Sequence, residues 1–341
     1  MVFKKKIIIK ILEKKYLKKL NIFLEKNYKK NYILTKNKKF FNWQHKIQNR
    51  YSSFIAIKNS KVIGSQSYIS FRSYDNKQKK NDIFLALWVA LEKEGVGIGY
   101  QLYKQIIKEE DPNFIGTIGL RKELLKFHAW QGFTLDQMKH FVFLLDYKRP
   151  YKICHIPKNI KIKNKYTKKD IEFKKINLKN IENIKPNKIF SYQVPIKSIE
   201  YIKNRYLKHP IYTYEVFTCY KDKKISSIFV LRESKYKNSS CLKVIDFIGE
   251  KKEFFNIKNL LIRKFKENPF EYANIYVYGL PISILKQAGF IDVEKSHNII
   301  IPQHFEPYTK KNIKILCGFK TNDKKSRVRM FNSDADQDRP N

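Results

Sequence analysis

The chain has 341 residues, of which 43% are hydrophobic and 15% aromatic, enough for sizeable cores and more than one compact core usually holds. Its formal net charge is +40, carried by 61 lysines and only ten arginines. Eleven glycines and eleven prolines exclude a fibrous or linker-rich chain, and Cys154, Cys219, Cys241 and Cys317 have the spacing of neither a metal knuckle nor a redox pair.

The first twenty residues are lysine-rich with a short apolar run at Ile7–Ile9. They lack the apolar core and cleavage site of a signal peptide, and predict an amphipathic helix or a strand-to-helix unit. After Asn49-Arg50-Tyr51, strands are predicted at 53–57, 62–69 and 83–90. The longest apolar stretch, 83–91, is nine residues, short of the roughly 20 a membrane span needs, so no transmembrane segment is expected. A helix follows from about Gly97 to Ile107, a strand at 114–120, a helix from about Lys122 that ends at Gly132-Phe133, and a strand at 141–145.

A second segment repeats this order. Asn204-Arg205-Tyr206 precedes strands at 213–219, 225–231 and 242–248. A helix at 256–265, a strand at 273–277 and a helix at 281–287 then end at Gly289-Phe290. Tyr51 to Phe133 is 82 residues and Tyr206 to Phe290 is 84, so a duplicated unit is predicted. Such an order of strands and helices predicts an α+β (α/β-like) architecture with a mixed sheet.

The predicted strand at 83–90 runs into Glu94-Gly95-Val96-Gly97-Ile98-Gly99 and then a helix opening at Tyr100. A helix start offers unpaired backbone N–H groups and partial positive charge, and glycines let phosphate oxygens approach them. The spacing is not G-x-G-x-x-G, and no Lys-Ser or Lys-Thr follows Gly99, which sets aside dinucleotide and P-loop turns.

The turn resembles that of the GNAT superfamily of acyl-CoA N-acyltransferases, V-x-P-x-x-(Q or R)-G-x-G-x-(G or A), with Val89, Gly95, Gly97 and Gly99 on the family positions. Leu91 replaces the proline and Glu94 the glutamine or arginine. The family's later helix, N-x-x-A-x-x-x-Y-x-x-x-G-F, aligns on Gly132-Phe133, with His128 on the tyrosine and Arg121 on the asparagine. The resemblance implies two tandem GNAT-like units, each a mixed, mostly antiparallel sheet flanked by helices. Their expected bounds are 1–147 for an acyl-CoA-binding unit, 148–188 for a connector and first helix, 189–318 for a degenerate copy, and 319–341 for an acidic tail. The copy has Ile248-Gly249-Glu250-Lys251 where the glycines would be, and is not expected to hold CoA.

The resemblance implies acetyl-CoA or another acyl-CoA as co-substrate, bound by Trp88, Val89, Glu94, Gly95, Val96, Gly97, Ile98, Gly99, Tyr100 and Arg121, with no metal. Backbone near Trp88-Val89 would face the oxyanion, and His128 would serve the leaving thiol. Glu92, Asp82, His45 or a water relay would take the amine's proton. Asp334, Asp336 and Asp338 alternate in the ending, which resembles those of GNAT-like proteins of bacterial surface-polysaccharide biosynthesis. A primary ammonium, on an amino sugar or its nucleotide, would suit these aspartates and the positive field. A disordered acidic end is the plainer alternative for the tail.

The lysines are spread along the whole chain rather than clustered, and arginine, the usual reader of base edges, is scarce. Nucleic acid is therefore not the expected partner, and a cytoplasmic enzyme is. A Fem-type aminoacyl-tRNA-dependent transferase, a polyanion-binding module and a glycan-assembly scaffold are the rival readings.

Overall fold

The computed structural model describes residues 6–145, 151–160, 162, 164–166, 171–185, 188–296, 298–305 and 307–340. In chain order the elements are β1 (Ile8–Ile11), α1 (Leu17–Asn27), α2 (Ile33–Lys36), α3 (Lys38–His45), β2 (Lys46–Ile47), β3 (Arg50–Tyr51), β4 (Ser53–Lys58), β5 (Lys61–Ser70), β6 (Asp82–Ala90), α4 (Ile98–Glu110), β7 (Phe114–Ile118), α5 (Leu125–Trp130) and β8 (Thr134–Phe143). The second half continues with β9 (Glu172–Ile176), α6 (Ile199–Ile202), β10 (Glu215–Lys221), β11 (Lys224–Tyr236), β12 (Ser239–Gly249), α7 (Ile257–Glu267), β13 (Ala273–Tyr278), α8 (Ile282–Gln287), β14 (Phe290–Asp292), β15 (Ile315–Thr321) and β16 (Met330–Phe331).

One sheet of fourteen strands runs through both halves in the order β1-β4-β5-β6-β7-β15-β8-β13-β12-β11-β10-β9, with β14 on β8 and β16 on β13. Among the named strands of the described residues, β6·β7 and β12·β13 are the parallel pairs. The fold is α+β, a mixed and mostly antiparallel sheet with flanking helices, as expected. The halves meet at β8. Its Thr134–Met138 portion pairs with β15, and its Lys139–Phe143 portion pairs with β13.

After Asp82, β6 is apolar because it is covered on both faces. Leu85 lies in a core with Ile98, Leu102 and Ile106, which recur every fourth residue on α4. Leu87 lies in a separate core with Leu20 of α1 and Phe40 and Phe41 of α3. Thus α4 covers one face of the first half, and α1 and α3 cover the other.

Three expectations change. The strand expected at 141–145 begins at Thr134, because its first half is partly exposed and carries polar Thr134, Asp136, Gln137 and Lys139. Residues 148–188, where a connector and helix were expected, contain β9 and short 3-10 turns among the described residues, and part of that range lies outside them. The tail expected from 319 starts inside β15, and Met330–Ala335 is buried rather than loose. Among the described residues no helix is long and apolar enough to cross a membrane.

A candidate acyl-donor cleft

β6 and β7 pair only at Asp82–Phe84 with Phe114–Gly116, and then diverge. Beyond this fork lies a cleft of about 740 Å³, walled by Leu85–Trp88 on one side and Thr117–Gly119 on the other. At the fork β6 also bulges. Trp88 faces Gln66 and Ala86 faces Ser67 on β5, so Leu87 has no partner and takes φ +38°. A bulge of this kind releases backbone from the ladder and re-aims it, here beside the cleft.

The glycine turn forms the mouth on the α4 side. Gly97 caps α4 with φ +79°, a conformation that favours glycine, and a Cβ there would have nothing within 4 Å. Gly99 lets the Trp88 indole pack against the helix start, since its Cβ would come within 3.0 Å of the indole nitrogen. The first amides of α4 have no carbonyl partner within the helix, and no side chain caps them. Val96 is 94% exposed, so the turn opens to solvent. An anion of diphosphate size therefore has both room and donors.

Glu94, the awkward departure from the GNAT pattern, is neutralised locally. Lys58 Nζ bonds its carbonyl at 2.9 Å and its carboxylate at 3.2 Å. Glu92, Tyr100 and Arg121 also line the cleft and are exposed. His128 lines it from α5, buried against Trp88, Phe127 and Phe133 at ring-centroid distances of 6.3, 5.3 and 4.7 Å. Its Nδ1 has no partner among the described residues, and burial pushes its pKa down to about 4. Near neutral pH it is therefore an uncharged N–H donor, its pKa well below the titration range of an ordinary histidine.

The other expected bases lie elsewhere. Asp82 starts β6 at the closed end of the fork, six residues or about 20 Å along the strand from Trp88. Its Oδ2 accepts the Ile196 amide at 3.3 Å, and burial pushes its pKa up to about 6. His45 is fully buried at the end of α3, beside Ser52 and the Tyr68 carbonyl, with its pKa pushed down to about 4 by burial.

The three tail aspartates separate. Asp334 is buried against Lys197, whose Nζ also bonds both oxygens of Asp246 at 2.8 Å. Burial raises Asp334 to about 6 despite Lys197. Asp338 is buried too. Burial works against its charge, but Arg232, at 2.5 and 3.0 Å, holds it below the ordinary carboxylate value, and the Tyr214 hydroxyl donates to it at 2.8 Å. Neither carboxylate lines the cleft between β6 and β7. Asp336 alone of the three lines it, paired with Arg339.

The second half repeats the fork, but it is occupied. β12 and β13 pair at Leu242–Val244 with Ala273–Ile275 and then part. β16 pairs with β13 through Phe331 and Met330, inside the gap. The Ser333 amide bonds the Ile245 carbonyl at 3.3 Å, and Arg329 bonds the Gly249 carbonyl at 2.6 Å. The chain's own segment thus fills the place that is open in the first half.

From this plug the tail crosses to the first cleft. Gln337 donates to the Ile118 carbonyl at 3.0 Å, and Arg339 lies over the Tyr32 ring at 5.5 Å. Tyr28, His304, Gln337 and Arg339 complete the cleft on the face opposite α4. Sequence reasoning missed these four. No local pattern marks His304, whereas the acidic ending did draw attention to the tail.

No family profile matches the chain, and no curated protein matches it in sequence. Solved structures do. A GCN5-related N-acetyltransferase from Anabaena variabilis ATCC 29413 is 11% identical, over 93% of this chain and 73% of that one, with a TM-score of 0.55. A GCN5-related N-acetyltransferase from Kribbella flavida is 6% identical, over 94% and 72%, with a TM-score of 0.52. The fold is GNAT-like. A looser likeness, with a TM-score of 0.47, is to Saccharomyces cerevisiae N-myristoyltransferase with bound myristoyl-CoA. At these identities the GNAT-like fold is what is shared, and the chemistry rests on the cleft itself.

Proposed function

We propose that the chain is an N-acyltransferase that draws an acyl group from acyl-CoA in the β6–β7 cleft and passes it to a primary amine. The observation that carries this reading is the open fork beside the uncapped start of α4, with free space around Gly97. The amides of Ile98, Gly99 and Tyr100 would bind the diphosphate, with Arg121 at the rim. Backbone at Leu87–Val89 would face the thioester oxygen, and the N–H of His128 would hydrogen-bond the leaving sulfur. The second fork, filled by β16, would hold no second donor.

Acetyl is the acyl group we favour. An amino sugar or nucleotide-linked amino sugar, used in surface glycan synthesis in the cytoplasm, is the acceptor that suits the strong positive field. The acidic ending is the sequence feature behind that choice.

The test is calorimetry with acetyl-CoA, alongside native mass spectrometry for co-purified acyl-CoA. Wild type should bind, and Gly97→Glu, which puts a carboxylate where the diphosphate would lie, should not. Equal affinity in the two proteins would refute the site. A panel of amino-sugar nucleotides then tests the acceptor.

A further inference from the structure

The cleft is lined from both faces of the sheet. Gly97, Tyr100 and His128 line it from the α4 face, and Tyr28, His304 and Asp336 line it from the face covered by α1 and the tail. A donor bound at the start of α4 leaves the second side free. There the cleft adjoins a smaller cavity of about 220 Å³, and His304, Gln337 and Arg339 line both.

The titratable groups of the cleft sort by position. Glu92 and Glu123 sit beside the diphosphate mouth, and His128, buried in the wall on the α4 face, is the group assigned above to the leaving sulfur. Asp336 is committed to Arg339. His304 is exposed at the junction of the two cavities, and its ring makes no hydrogen bond with another described residue.

We propose that the acceptor amine enters through this junction, opposite α4, and that His304 is the general base that takes its proton. The inference rests on the transferase reading above. The acceptor ammonium gives one proton to an unprotonated ring nitrogen of His304. The freed lone pair forms the C–N bond at the thioester carbon. As the C–S bond breaks, a second proton leaves the nitrogen and ends on the sulfur, giving amide, free CoA thiol and a proton that His304 releases to water.

The surroundings keep His304 ready for this. Partial burial, and then Lys243 of β12, Arg339 of the tail, Lys311 of the segment before β15 and Lys29 after α1, all lower its pKa below the usual histidine value. Asp336 and the Tyr28 hydroxyl are the other titratable groups on this side of the cleft. The imidazole is therefore in its base form at neutral pH.

The test uses the full chain, acetyl-CoA, and glucosamine, glucosamine 6-phosphate or tyramine as the acceptor amine, with CoA release above the acceptor-free blank followed from pH 5 to 8.5. With the best nucleophile, kcat/KM should fall about tenfold per pH unit below an inflection under pH 6.5. His304→Gln should lower the pH 7.5 rate about 100-fold and abolish the inflection, with acetyl-CoA affinity within twofold. Added imidazole should restore part of the rate, which a merely structural role would not allow. An unchanged rate or inflection in His304→Gln overturns the proposal, as does a wild type that binds acetyl-CoA but acylates none of the three amines. Failure of wild type to bind acetyl-CoA would instead remove the transferase reading itself.

Discussion

The side-chain amide of Gln337 donates to the backbone carbonyl of Ile118 at 3.0 Å, tying the segment after β16 to one wall of the cleft between β6 and β7. Gln337 also lies where any side chain on Gly119 would fall, 2.6 Å from its Cβ position. Gln337→Ala removes one partly buried hydrogen bond, worth about 1 kcal/mol. We expect KM for acyl-CoA to rise several-fold, with a Tm change of only a few degrees. Steady-state kinetics beside a thermal melt would check it, and an unaltered KM would mean the contact does not shape the cleft.

His128→Ala should cut kcat at least tenfold while acyl-CoA affinity, read by calorimetry, changes less than threefold. Since burial holds the pKa of His128 near 4, the wild-type rate should show no inflection from this residue between pH 5 and 9. Turnover within threefold of wild type would assign His128 to packing alone.

Asp82 predicts a slope in stability against pH. Its folded pKa, about 6, lies above the unfolded value, so the folded state holds the proton more tightly. That contribution is complete below about pH 4 and is lost as pH rises through 6. It amounts to something on the order of 3 kcal/mol. Urea unfolding of wild type and Asp82→Asn at pH 5 and pH 8 isolates it: the variant should gain on wild type as pH rises. A difference independent of pH would contradict a raised folded-state pKa for Asp82.

Lys197 is fully buried between Asp246 and Asp334. Lys197→Met leaves two carboxyls in a dry site without their cation, which costs about 3–5 kcal/mol. Urea unfolding should report that loss, and adding Asp334→Asn to the variant should recover part of it. The single variant should also release 328–340 to limited proteolysis. A variant as stable and as protease-resistant as wild type would mean that other contacts seat the tail.

The local features were legible in the sequence. The glycine turn, the strand before it and the helix after it are encoded by neighbouring residues, and the structure places Gly97 and Gly99 at a helix start beside a cleft. The matched order of elements also survives, as two forks in one sheet. Strand order is a long-range property, and nothing near residue 315 announces that β15 will lie between β7 and β8. The aspartates illustrate the same limit. Their spacing was visible, but the cations that claim Asp334 and Asp338 lie 137 and 106 residues away. Alternation alone could not separate the two buried ion pairs from Asp336.

The occupied fork of the second half has a bearing on how such a chain could change over time. The groove of the second half serves as an anchorage, and the segment fastened there reaches across to line the neighbouring cleft. Alterations around Arg329 or Gly249, at the anchorage, would then be felt at the cleft as slack in that segment.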